Sequence, residues 1–284
     1  MNVLEQVLHR EDGRNGAKPR LRPLRFVTFL APNLFAFYQF VTRYLGDRLG
    51  LPTELRVGTS YEELTAQADV AFVCGLPYVE LTRQGRSPVE PLVAPVLQGE
   101  RYGGKPIYYS DVIVRRDSPF RSFADLRGRS WAYNEPHSQS GYGITRYHLA
   151  RLGETNGYFG RVVEAGWHEQ SLRMVCSGEV DASAIDSHVL AVALRDRPEL
   201  ARQVRVIEVL GPSSIQPVVA ARHLPEPLKA ALRGALLEMG GDPAARPHLA
   251  RALVERFTPV TDATYDDIRT MLTVVEAAGF LNLR

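Results

Sequence analysis

The chain has 284 residues, with 34 basic and 32 acidic side chains and a formal net charge of +2 at pH 7. Hydrophobic residues make up 45% and charged residues 23%, an ordinary globular composition that gives no support to nucleic-acid binding. No run approaches the roughly 18 apolar residues of a membrane span, so no membrane insertion is expected.

The length suits one large domain or two small ones. Cys74 and Cys176 are too few for a metal cluster or a disulfide framework. Each sits in an apolar stretch and reads as a buried free thiol, with a single bridge between them as the alternative. No metal and no cofactor is expected. Met1 to Gly16 (MNVLEQVLHREDGRNG) lacks a basic region followed by an apolar one, so it does not read as a secretory signal. As written, the protein is expected in the cytoplasm; a removed signal or a misassigned start would place it in the periplasm or at the cell surface. Residues 1–24 read as a flexible arm, and the cluster Arg14, Lys18, Arg20, Arg22 and Arg25 as solvated.

In chain order, Arg25 to Leu30 (RFVTFL) predicts a strand, broken by Pro32 and Asn33. Leu34 to Leu49 carries Phe37, Phe40, Val41, Tyr44 and Leu45 at helical spacing. Glu54 to Val57 predicts a strand, Tyr61 to Ala68 a short helix, Ala68 to Cys74 (ADVAFVC) a buried strand, and Pro77 to Arg83 a helix. Leu92 to Leu97 reads as a strand whose proline suggests an edge position. Tyr108 to Arg115 and Arg129 to Tyr133 are strands, separated by a helical turn at Ser122 to Leu126. After a small-residue loop, a helix runs from Ile144 to Leu152. Strands follow at Val162 to Ala165 and Ala182 to Ile185, and helices at Glu169 to Cys176 and His188 to Arg195. Val204 to Leu210 and Gln216 to Ala220 are strands around a Gly211-Pro212 break. Three closing helices are expected at Pro227 to Met239, Pro247 to Arg256 and Tyr265 to Ala278.

This alternation predicts an α/β fold with mainly parallel sheets. The order suggests two lobes: residues 25–112 and 208–284 form the first, and residues 113–207 form a second, inserted lobe. Two chain crossings between lobes make a natural hinge for closure on a ligand.

The most informative segment is NEPHSQSGY, Asn134 to Tyr142, between a strand and a helix. A helix start offers unpaired N–H groups and a partial positive charge, which suits an oxyanion. Ser138 and Ser140 add hydroxyls, and Gly141 leaves room for a ligand to approach the backbone. A plain helix cap by Ser138 or Ser140 is the competing reading. His168 follows a strand and opens a helix, where its ring can donate to an anion; an exposed helix start is the alternative. Asp186 ends a strand, where open α/β sheets place ligand contacts, and it equally suits a helix cap. An acceptor there fits a ligand with a protonated oxygen or an amine.

The stretches ADVAFVCGLPYVEL, YYSDVIVRRDSPFRSFADLRGRSWAYNEPHSQSGY, GWHEQSLRMVCSGEVDASAIDS and FTPVTDATYDDIR, in this order, resemble the phosphate, phosphite and phosphonate-binding proteins of ABC transporters. These form a branch of the type 2 periplasmic-binding-protein fold, two α/β lobes with a ligand cleft between them. The resemblance implies ligand contacts from Ser138, Ser140 and Gly141, and from His168 and Asp186; Gln139 and Tyr142, in the same turn, are expected at the site with them. It adds Tyr78, Tyr108 or Tyr109, with Tyr109 the expected contact of the two, and Asn33 at the first strand-to-helix turn. Two positions depart from the pattern. Gln139 stands where many relatives carry Thr or Ser, and Trp167 where a small residue is usual.

The expected function is therefore a solute-binding protein that closes on a small oxyanion, a phosphonate or related phosphorus compound, for an ABC permease. A cytoplasmic ligand sensor of the same fold is the alternative. An enzyme is not expected: Ser140, His168 and Asp186 have the residue types of a hydrolytic triad, but no G-x-S-x-G elbow presents a nucleophile.

Overall fold

The structure, a computed structural model, describes residues 22–83, 85, 87–280 and 282–283. Eleven strands among these residues form two sheets. The first contains β1 (Leu24–Thr28), β2 (Thr53–Val57), β3 (Val70–Phe72), β4 (Val89–Leu97), β10 (Val218–Ala221) and β11 (Val254–Pro259), in the order β11-β4-β10-β3-β1-β2. The second contains β5 (Ile107–Arg115), β6 (Ser130–Tyr133), β7 (Arg161–Glu164), β8 (Ala182–Asp186) and β9 (Val204–Ser214), in the order β7-β6-β8-β5-β9. The helices used below are α1 (Phe35–Leu49), α2 (Gly75–Thr82), α3 (Ile144–Arg151), α4 (His168–Ser177), α5 (Ser187–Asp196), α6 (Glu226–Glu238), α7 (Arg246–Arg251) and α8 (Asp266–Ala277).

The sheets are mixed rather than mainly parallel. β1 pairs in parallel with β2 and β3, and β6 with β7 and β8. Every pairing that involves β5, β9, β10 or β11 is antiparallel; β5, β9 and β10 flank the crossings between lobes, and β11 returns alongside β4. The expected helix at Pro247 to Arg256 is only α7, after which the chain turns at Leu253 (φ 54°) into β11. β11 covers β4, so β4 lies inside the sheet and not at its edge. A proline cannot donate to the ladder, and register shifts occur in the pairings of β4 with both of its neighbours.

β5 belongs wholly to the second sheet, and β9 reaches Ser214 before the return. The chain therefore crosses between Leu97 and Ile107 and again between Ser214 and Val218, outside the expected boundaries at 113 and 207. The second lobe's aromatic core stacks Trp131 on Phe159 at 4.5 Å, edge-on to Phe123. That core also takes Val275, Phe280 and Leu283 from the C-terminal stretch expected in the first lobe. Burying a side chain such as Phe280 contributes about 1.5–3 kcal/mol. α8 is thus a strap packed on the second lobe. It is also tied to the first lobe, by Ile268 packed over Gly75 of α2 and by the pairs Arg83 to Glu276 and Arg269 to Thr82.

Arg22 and Arg25 are not a solvated cluster. Both guanidiniums bond the fully buried Asp69 carboxylate just before β3, fixing the start of β1. Burial pushes the Asp69 carboxyl up, but the bonds from Arg22 and Arg25 outweigh it and hold it at about 2. Arg14, Lys18 and Arg20 lie outside the described residues. Both cysteines are free; Cys74 is buried and Cys176 only half-buried. Among the described residues no helix is long and apolar enough to cross a membrane.

Candidate functional site

Five strands, β1, β3, β6, β7 and β8, point their C-terminal ends into the space between the lobes. That is where an open α/β sheet presents its loops. A small, partly open cavity of about 40 Å³ lies there. The first lobe contributes Phe29, Leu30, Ala31 and Leu34 from the β1–α1 connection, Tyr38 from the first turn of α1, Cys74 before α2, and Gln216 from the return crossing. The second contributes Asn134, Glu135, Ser138 and Ser140 after β6, Trp167 and His168 after β7, and Asp186, His188 and Val189 after β8. No lysine or arginine lines the cavity among the described residues.

The turn after β6 is a five-residue π-helical turn, Gln139–Gly143, leading into α3. Ser138 caps it, its hydroxyl accepting the Gly141 N–H at 3.0 Å. The Ser138 and Ser140 hydroxyls lie 3.3 Å apart, and Ser140 Oγ lies 2.8 Å from His168 Nε2. His168 opens α4, and its buried Nδ1 has no protein partner. Burial lowers its pKa to about 3, so the ring is neutral. The buried Tyr108 hydroxyl, on β5, faces Ser140 without a well-aligned hydrogen bond to it.

Asp186 caps α5 through Oδ1, which accepts the N–H groups of His188 and Val189. Its Oδ2 accepts Gln216 Nε2 at 2.7 Å. Burial raises its pKa to about 6 against these bonds, which lower it. His188 Nε2 donates to the Ala252 carbonyl at 2.5 Å, tying the second lobe to the first, and burial lowers its pKa to about 4. Burial pushes the Cys74 thiol up to about 12, so it is not a thiolate. At the mouth, burial pushes the Glu135 carboxyl up, and Tyr61 donates to it over a long 3.4 Å. Trp167 stands there 41% exposed.

Of the ten positions expected from sequence, Ser138, Ser140, His168 and Asp186 line the cavity and the other six do not. The Tyr78 hydroxyl donates to Asp262 at 2.6 Å, under α8. The Tyr109 hydroxyl donates to the Arg101 carbonyl, with the Arg101 guanidinium over its ring. The Tyr142 hydroxyl accepts the Leu283 N–H inside the second lobe. Gly141 meets protein where a ligand was expected: a Cβ there would stand 2.0 Å from Asn134 Oδ1, so the glycine makes room for that side chain. Gln139 points backwards to Ser213 and Met271. Asn33 bridges the lobes beside the cavity, its N–H donating to Glu169 Oε1 and its amide to the Val189 carbonyl. Sequence reasoning missed Tyr38 and Gln216. Tyr38 lies in the first turn of α1 at a strand's C-terminal end, a position that was itself the available signal.

Residues 28–265 match the family model described as the periplasmic substrate-binding protein of phosphonate ABC transporters. The chain belongs to this family. A curated relative, the phosphonates-binding periplasmic protein of Escherichia coli (strain K12), is 26% identical over 181 residues, which are 62% of this chain and 53% of the relative. The chain thus matches about half the length of that relative. Among solved structures, a binding protein component of an ABC phosphonate transporter from Pseudomonas aeruginosa superposes with a TM-score of 0.79 at 20% identity. That match covers 90% of this chain and 88% of the other. PhnD1 from Prochlorococcus marinus, in complex with methylphosphonate, gives 0.78 at 16% identity, covering 89% and 98%. At these identities the structures establish the fold: the two-lobed periplasmic-binding-protein architecture expected for the phosphonate-binding family.

Proposed function

We propose that this chain is the solute-binding component of an ABC uptake system and that it closes on a phosphonate. The observation that carries this reading is the convergence of Ser138, Ser140, His168 and Tyr38 on one interlobe cavity without a lysine or arginine. A tetrahedral oxyanion accepts hydrogen bonds from neutral donors in several directions at once. Hydrogen bonds to a charged partner are the stronger kind. Asp186, already holding three protein donors, offers a remaining lone pair to a ligand oxygen that carries a proton. It disfavours a fully ionised competitor. Phe29, Leu30, Leu34 and Val189 form an apolar wall for the carbon substituent that separates a phosphonate from phosphate.

Binding without turnover is supported by the same geometry. Ser140 and His168 are paired, but Asp186 is bonded elsewhere and does not orient the ring. A histidine held at about 3 is also a poor general base near neutral pH. The family description supports a permease partner and a periplasmic place of action.

Isothermal titration with methylphosphonate, larger alkylphosphonates, phosphate, phosphite and phosphate esters tests the reading. Saturable binding of at least one phosphonate, more tightly than phosphate and with the ligand recovered unchanged, is the expected result. No binding across the panel, or consumption of the ligand, contradicts it.

A further inference from the structure

Gln139 sits in the middle of the candidate anion turn yet does not face the cavity. It is 1% exposed, and its side chain runs to the back of the turn. There Nε2 donates to Ser213 Oγ at 3.2 Å and lies 3.2 Å from Met271 Sδ. Its amide oxygen fills the space over Gly143, where a Cβ would come within 2.5 Å. Its own N–H points to Cys74 Sγ at 3.4 Å, across the cleft on the first lobe. One residue therefore touches the turn, the first lobe, the strap α8 and the crossing strand β9.

Ser213 is no ordinary partner. It pairs with Tyr108 of β5, the other crossing strand, and lies just before the return crossing. The next residue, Ser214, is tied to the strap: its N–H donates to Asp267 and its hydroxyl to the Thr264 carbonyl. The Ser213–Tyr108 pair brackets the turn, since the Tyr108 hydroxyl stands beside Ser140 while Ser213 holds Gln139. Any hinge rotation moves the 214–218 crossing relative to the second lobe. Gln139 spans that movement: its Nε2 holds Ser213 next to the crossing and its N–H meets Cys74 of the first lobe, and a lost buried hydrogen bond leaves a polar group unpaired.

We infer that Gln139 is the positioning residue that couples occupancy of the anion turn to the hinge, through Ser213 and Met271. The inference rests on the reading that the Ser138–Ser140 turn holds the ligand. Gln139 touches no ligand itself; it sets where the turn stands when the lobes close. A threonine or serine is too short to reach Ser213 from this position, so the coupling depends on the length of the glutamine.

The test compares wild type with Gln139→Met, which keeps length and volume but removes the amide. Methylphosphonate affinity, melting midpoint and hydrogen exchange are read together. The expected result is a cooperative melting transition lowered by a few degrees, an affinity loss of about tenfold, and loss of ligand-induced protection at residues 211–218 with protection at 138–142 retained. Wild-type affinity with wild-type protection at 211–218 overturns the inference. If Gln139→Met does not fold, Ser213→Ala removes the other end of the contact and must give the same uncoupling; wild-type behaviour in it overturns the inference equally. If wild type binds no oxyanion, the functional reading fails separately. Ligand-free exchange then decides the coupling: Gln139→Met must speed exchange at 211–218, and unchanged exchange overturns it.

Discussion

His168 Nε2 and Ser140 Oγ stand 2.8 Å apart, although the histidine opens α4 and the serine belongs to the turn after β6. The pair joins two loops at neighbouring strand ends into one donor surface. Nε2 either accepts the serine's O–H or donates its own N–H to Oγ, and either way one polar hydrogen, on Nδ1 or on Oγ, is left to direct at a ligand. Replacing Ser140 with Ala is expected to weaken phosphonate binding by about 10- to 100-fold, the effect of one hydrogen bond to a charged group. Titration calorimetry checks this, with the melting midpoint as a control for folding.

Tyr38 and Tyr78 should separate cleanly. Tyr38 lines the cavity, whereas the Tyr78 hydroxyl is held by Asp262 away from it. Tyr38→Phe is expected to lower affinity by about five- to twentyfold with little change in stability. Tyr78→Phe is expected to leave affinity unchanged while lowering stability by about 1 kcal/mol. Parallel binding and denaturation curves read both.

The buried ionisable groups give the protein a pH-dependent stability. His168 and His188 have folded values of about 3 and about 4, below the ordinary value near 6.5. The folded chain therefore binds fewer protons than the unfolded chain. Their contribution is full above about 6.5 and is lost as the pH falls towards the folded values. Asp186 works the other way. Its folded value of about 6 lies above the ordinary carboxylate value, so its contribution is present below about 4 and is lost as the pH rises through about 6. Two histidines outweigh one aspartate, and the melting midpoint should fall between about pH 6.5 and 4.5. His168→Gln should flatten that slope and Asp186→Asn should steepen it, as calorimetric scans across the window will show.

At the opposite edge of the first lobe, Asp69 holds both Arg22 and Arg25. Asp69→Ala removes a fully buried acceptor of several hydrogen bonds. The expected loss is about 1–3 kcal/mol, towards the lower end because both guanidiniums remain partly in water. The melting midpoint should drop by a few degrees while ligand affinity stays as in wild type.

Much of this was legible in the sequence, for physical reasons that can be named. The elements β1, β3, β6 and β8 are short apolar runs bounded by turn residues, and each turn opened at a cavity-lining residue such as Ser138 or Asp186. β11 was not legible: RALVERFTP reads as a helix by composition, and only pairing with β4 makes a strand of it. The side-chain directions of Gln139 and Tyr142 were equally hidden. They are set by Met271, Ser213 and Leu283, which lie far away in sequence and arrive with β9 and the C-terminal strap. The Arg22–Asp69 and Arg25–Asp69 pairs were missed because a basic cluster looks solvated until its distant buried partner is seen.

The central claim is that a phosphonate is held at the turn between the lobes. Its most direct test is methylphosphonate titration of wild type and Ser140→Leu side by side, followed by Trp167 emission at the cavity mouth. The account predicts a saturable emission change in wild type and none in Ser140→Leu, with both proteins melting cooperatively. An undiminished change in Ser140→Leu, or none in wild type with any phosphonate, would contradict it.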